Sequence, residues 1–194
     1  MDVDGFLREP LSRRRFLARS GVSAAGASAV LLSGCGDDTK SATKTGPDES
    51  DEADVEILNS VLDLELMAVA AYKAGAGTLK GDVLQTVKGF LEQEQEHADG
   101  LSAAIKDAGG TPNRAKSSYD FPAWRSQREV LRYAVDLENT AIAAYIDALP
   151  KLGKGDLRAT ASAIIANEAE HVAILRGALG LEQVPSAFVV GKAG

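Results

Sequence analysis

The chain has 194 residues, 45% hydrophobic and 25% charged, enough for one globular domain with a real core. Aromatic residues make up only 5% and alanine is abundant, which favours helix over strand. A net charge of −7 argues against nucleic-acid binding, which needs a basic surface, and a single cysteine, Cys35, excludes an internal disulfide framework.

In chain order, Ser12-Arg13-Arg14-Arg15-Phe16-Leu17 precedes a weakly apolar run over 21–32, rich in Gly, Ala and Ser. That run is far shorter than the roughly 20 residues of a membrane-spanning helix. The segment resembles a twin-arginine export signal with Arg13 and Arg14 as its pair. Leu32-Ser33-Gly34-Cys35 resembles a bacterial lipobox. The resemblance implies that 1–35 is an export signal and that lipid on Cys35 anchors the chain to the bacterial cell membrane on its extracytoplasmic side. It also implies export of a folded protein, often with metal already loaded. The alternative is a plain signal peptide in which Cys35 has no special role. Residues 36–54 are almost wholly polar and acidic; they cannot offset their own ordering entropy and are expected to form a flexible tether.

Four amphipathic segments follow, over about 52–74, 82–108, 122–149 and 154–179, each with apolar residues at three- and four-residue spacing. Glycines at 75, 77, 109, 110 and 180 and Pro150 mark the stops. The first and last connections are short and predict two antiparallel helical hairpins. The stretch from Gly109 to Phe121 is longer, with Trp124 just beyond it placed to anchor the crossover. The expected fold is therefore all-α, a four-helix bundle over 55–180 built from two hairpins and one long crossover. The tail 181–194 is apolar enough to pack on the bundle.

The bundle is written twice. Asp63-Leu64-Glu65-Leu66-Met67-Ala68-Val69-Ala70-Ala71-Tyr72 and Asp136-Leu137-Glu138-Asn139-Thr140-Ala141-Ile142-Ala143-Ala144-Tyr145 share seven of ten residues. Each is followed by a matched Glu-x-x-His, Glu94 to His97 and Glu168 to His171. Residues three apart on a helix lie roughly 60° apart and about 4.5 Å along the axis, so each such pair aims at one point. Glu65 and Glu138 each sit alone in an apolar stripe, where an ionised carboxylate is costly unless something binds it. Two divalent cations would balance the four carboxylates, and oxygen and imidazole donors without thiolate suit iron or manganese better than structural zinc. Glu-x-x-His alone is a weak motif, but both histidines of the chain occur in it. A single metal, zinc or protonated acids are the other ways to satisfy the pattern.

Tyr72 and Tyr145 stand two turns after Glu65 and Glu138. They are placed either to hydrogen-bond a ligand and supply electrons or simply to fill the core. Asp63 and Asp136 point about 160° away from those glutamates, toward outward partners or a homodimer face. Glu92, Glu96 and Glu170 fall on solvated faces.

One Glu from each of two helices and Glu-x-x-His from each of the other two resembles the di-iron or di-manganese carboxylate centre of the ferritin-like superfamily, over about 52–180. The resemblance implies that Glu65, Glu94, His97, Glu138, Glu168 and His171 ligate two iron ions, with manganese as the substitute, and that Glu94 and Glu168 bridge them. It further implies oxidation of Fe(II) or reduction of dioxygen or peroxide, a peroxidase needing an external electron donor because no Cys-x-x-Cys pair is present. The other class of function is a lipid-anchored metal-binding or interaction module without turnover. A closed storage cage fits poorly with a lipid on every subunit.

Overall fold

α1 (Glu49–Gly75), α2 (Gly81–Asp107), α3 (Gln127–Ala148) and α4 (Gly155–Ala178) carry the fold. A short 3-10 turn, Ala76–Thr78, links the first two. The computed structural model describes residues 49–192, which contain helix and no strand; Arg13, Arg14, Cys35 and residues 36–48 of the polar segment lie outside them. Among the described residues, no helix is long and apolar enough to cross a membrane.

The two hairpins are α1–α2 and α3–α4, as the short connections predict, and the long crossover runs between them. They meet mainly through α1 and α3, which run antiparallel: Tyr145 lies on Glu65 and Tyr72 on Glu138. α1 begins at Glu49, earlier than its apolar periodicity predicts. Its first turns are held by polar contacts: Asp54 is buried and its carboxylate accepts from Gly153 N at 2.7 Å, while Asp51 pairs with Lys154. α3 begins later than predicted, after Pro122 rather than at it. Ser126 Oγ caps the helix by accepting from Glu129 N, and Glu129 Oε2 reaches back to Arg125 N at 2.7 Å. This reciprocal cap is worth about 1 kcal/mol and is a stronger start signal than the apolar pattern. α2 ends where Gly109 takes φ +81°, a left-handed conformation that a Cβ would oppose.

The crossover is pinned at both ends. Asn113 donates to Asp63 at 3.1 Å, and its N–H bonds Asn59. Further on, Tyr119, Phe121, Trp124 and Tyr133 form an aromatic cluster with ring centroids 5.1–6.0 Å apart. Trp124 thus holds the crossover from just outside α3, not from within it.

Apart from a small cluster of Ala68, Ala71 and Leu137, the apolar core is split into two ends. One gathers Leu58, Leu62, Leu101, Ile105, Tyr145 and Ile164; the other gathers Tyr72, Phe90, Val130, Leu131 and Leu175. The layer between them is made of charged residues. The tail runs along the α3–α4 flank, where Gly191 sits so close to Ala143 N and Asn139 O that a Cβ would overlap them. Between tail and helices lies a cavity of about 520 Å³ lined by Ile142, Val172, Ala173, Val184 and Phe188. Val184 and Phe188 themselves remain mostly exposed.

Candidate metal centre

Each helix delivers its polar residues to the middle layer from the middle of its apolar face. Glu65 comes from α1, Glu94 and His97 from α2, Glu138 from α3, Glu168 and His171 from α4. The four glutamates and His171 are at most 1% exposed, and the His97 side chain is 14% exposed. All six residues named from the sequence are brought together. They form two groups, Glu65–Glu94–His97–Glu168 and Glu94–Glu138–Glu168–His171, whose donor atoms all lie within 4.8 Å of one another in each group. Glu94 and Glu168 belong to both.

His97 Nδ1 lies 3.1 Å from Glu168, 3.5 Å from Glu65 and 3.8 Å from Glu94. His171 Nδ1 lies 3.1 Å from Glu94, 3.2 Å from Glu168 and 3.5 Å from Glu138. These are charge contacts rather than aligned hydrogen bonds. Both Nδ1 atoms and at least one oxygen of every glutamate are buried without a hydrogen-bond partner. Buried polar atoms are ordinarily paired, so this many in one layer is a donor set awaiting an acceptor of electron pairs. Oxygen and imidazole donors in two groups with two shared carboxylates fit two divalent cations of the iron or manganese type.

The tyrosines are part of the layer. Tyr72 O–H donates to Glu138 Oε1 and Tyr145 O–H to Glu65 Oε1, each across the α1–α3 contact. Burial, and then the facing carboxylate, raises both phenols well above their ordinary value, so they remain donors. Each fixes Oε1 of its glutamate; Glu65 turns its other oxygen to His97, whereas the bonded Oε1 of Glu138 is also the one 3.5 Å from His171 Nδ1. Tyr145→Phe removes the donor and leaves Glu65 Oε1 buried and unpaired. It is expected to cost about 1–3 kcal/mol in urea denaturation of the protein alone; an unchanged midpoint would refute the bond.

Electrostatics divide the glutamates into two pairs. Burial pushes Glu65 up to about 8 against the pull of His97, and pushes Glu138 well above the carboxylate range. Burial acts the same way on the shared pair, but the two imidazoles override it, holding Glu94 below its ordinary value and Glu168 down at about 2. The histidines answer in kind. Burial disfavours their charge, yet Glu168 and its neighbours raise His97 to about 12, and Glu138 and its neighbours raise His171 to about 11. In the protein alone near pH 7, two imidazolium ions therefore face two carboxylates, while Glu65 and Glu138 hold protons.

Two contacts of His171 carry no sequence motif. Gln93 Oε1 lies 2.6 Å from its Nε2, and Phe90 stacks on its ring at 4.0 Å. Phe90 is legible only as a core residue, and Gln93 only as the neighbour of Glu94.

Fold and site together define a class: a two-hairpin helical bundle with a buried carboxylate–histidine cluster compatible with a dinuclear metal site. Residues 53–181 match the Ferritin-like domain family, and the chain belongs to it. Three of the similar solved structures show the range. A conserved hypothetical protein from Mycobacterium tuberculosis aligns with TM-score 0.64 and 23% identity, over 72% of this chain and 99% of that one. A protein from Bacillus anthracis, described as a ferritin-like, diiron-carboxylate protein, aligns with TM-score 0.58 and 29% identity, over 68% and 99%. The bacterioferritin of Desulfovibrio desulfuricans, whose structure is described in terms of its diiron site, aligns with TM-score 0.63 and 20% identity, over 77% and 97%. No protein with a curated description matches the chain.

Proposed function

We propose that the chain is an exported di-iron oxidoreductase, oxidising Fe(II) or reducing dioxygen or peroxide at a Glu₄His₂ centre. The observation that carries this reading is the sharing of Glu94 and Glu168 between two four-residue groups. In it, Glu94 and Glu168 would be shared by the two metals, Glu65 and His97 would complete one position, and Glu138 and His171 the other. Two bound irons would supply the redox chemistry, passing between Fe(II) and Fe(III). The chain's own residues do the rest. Tyr72 and Tyr145 hold the terminal carboxylates in place from across the bundle. The two apolar core ends flank the layer and bury His171 almost completely, leaving His97 the more exposed of the two histidines. Arg13, Arg14 and Cys35 add an extracytoplasmic, lipid-tethered location, and the absence of a Cys-x-x-Cys pair leaves any peroxidase reaction dependent on an external electron donor.

The test is to load the purified chain with Fe(II) anaerobically, measure metal per chain, and follow Fe(II) consumption and near-ultraviolet absorbance after adding oxygen or peroxide. Two irons with repeated consumption of added Fe(II) or peroxide are expected. Two metals that stay bound without turnover would replace the reading by a metal-binding module, and manganese retained in preference to iron would replace the cofactor. Labelling with palmitate, lost in Cys35→Ala, checks the anchor; equal labelling of both would refute it.

A further inference from the structure

The internal duplication pairs each residue of the Glu-x-x-His segment on α2 with one 74 positions later on α4: Glu94 with Glu168, His97 with His171. The identity stops at the residues around the histidines. Gln93 corresponds to Asn167, and Phe90 to Ile164. Gln93 reaches from α2 to His171 Nε2 at 2.6 Å, and Phe90 stacks on the same imidazole with the planes 28° apart. By the same symmetry Asn167 is the residue placed to meet His97. Its side chain is one methylene shorter, about 1.5 Å of reach, and among the described residues no bond joins the two. The His97 side chain is 14% exposed, that of His171 1%.

A carbonyl oxygen only accepts, so Gln93 Oε1 places the ring proton of His171 on Nε2. Nδ1 is thereby turned toward Glu94, Glu138 and Glu168, as the nitrogen that exchanges its proton for a metal. The bond and the stacked ring remove rotational freedom that binding would otherwise have to remove. His97 has neither restraint and must be ordered by the metal itself.

We propose that Gln93 is a positioning residue that makes the two halves of the centre unequal. The cation held by Glu138 and His171 is retained, and the cation held by Glu65 and His97 exchanges with solvent. This rests on the dinuclear reading above. The exchanging half is where a divalent cation arrives and leaves.

The probe is Co(II) on the full chain, two ions loaded and then challenged with excess EDTA while the visible absorbance is followed. Two phases of equal amplitude are expected. Gln93 is exposed, so replacing it leaves the apolar core alone. Gln93→Asn, which copies the shorter residue of the other half, is expected to accelerate the slow phase about 10- to 100-fold and leave the fast one unchanged. Gln93→Glu keeps an acceptor oxygen at the same reach and is expected to preserve the slow phase. Asn167→Gln is expected to slow the fast phase. A single phase in the unaltered chain, equal acceleration of both phases by Gln93→Asn, or failure of Gln93→Glu to preserve the slow phase would each overturn the inference while leaving two metals in place. Fewer than two Co(II) per chain would overturn it together with the dinuclear reading.

Discussion

Glu94→Gln with Glu168→Gln is expected to take the chain from two bound metals to none, whereas Glu65→Gln takes it from two to one. The difference follows from membership: Glu94 and Glu168 belong to both donor groups, Glu65 to one. Removing an outer partner of a metal ligand costs about 10- to 100-fold in affinity, and removing a shared anionic ligand exceeds that at both positions at once. Glutamine keeps the volume, and the two core ends do not touch the change, so the helical content should survive. Without the two anions His97 keeps only Glu65 and His171 only Glu138 to favour its charged form, so burial weighs more heavily toward loss of the proton. Metal analysis after gel filtration, with circular dichroism as the control for folding, reads the outcome. A folded double variant that still carries two metals would remove Glu94 and Glu168 from the bridging role.

Loading two divalent cations near pH 7 is expected to release about four protons per chain. His97 and His171 sit far above neutrality in the protein alone, and both must give up the proton on Nδ1 to bind. Glu65, raised to about 8, and Glu138, raised further, must each ionise. Glu94 and Glu168 are already carboxylates and contribute none. Because protons and metals compete for the same atoms, affinity rises with pH. With four protons released, the product of the two association constants grows by up to about 10⁴-fold per pH unit. The slope eases above about 8, where Glu65 ionises unaided, and persists until the histidines deprotonate near 11 and 12. Calorimetry in buffers of different ionisation enthalpy measures the release. Release of only about two protons per two metals would mean that the histidines are neutral before binding, and release of none that Glu65 and Glu138 are ionised as well.

Much of this was legible in the residues alone because the costly groups are the informative ones. A glutamate inside an alanine-rich stripe has few affordable explanations, and the duplication supplied the same anomaly twice. The fold class followed from periodicity and from one connection being longer than the others. The start of α3 was not legible, because Ser126 and Glu129 decide it through a local cap while the apolar pattern runs on past them. Nor was the start of α1, which polar contacts of Asp51 and Asp54 with the α3–α4 connection extend beyond its apolar stripe. The crossed Tyr–Glu bonds needed the direction of α1 against α3, and the Gln93 bond needed the approach of α2 to α4. A periodic pattern states which face is buried but not which neighbour it meets.

Neither donor group can be assembled from one hairpin. The first draws Glu65, Glu94 and His97 from α1–α2 and Glu168 from α4; the second draws Glu138, Glu168 and His171 from α3–α4 and Glu94 from α2. A cation in either group would therefore be a clasp between the hairpins, taking three ligands from one and the fourth from the other. Free metal at 100 times its dissociation constant adds about 2.7 kcal/mol to docking for each such site. Metal supply and mechanical integrity become one variable, and starvation for the ion would show itself as a loosening of the seam between the hairpins rather than as loss of helix.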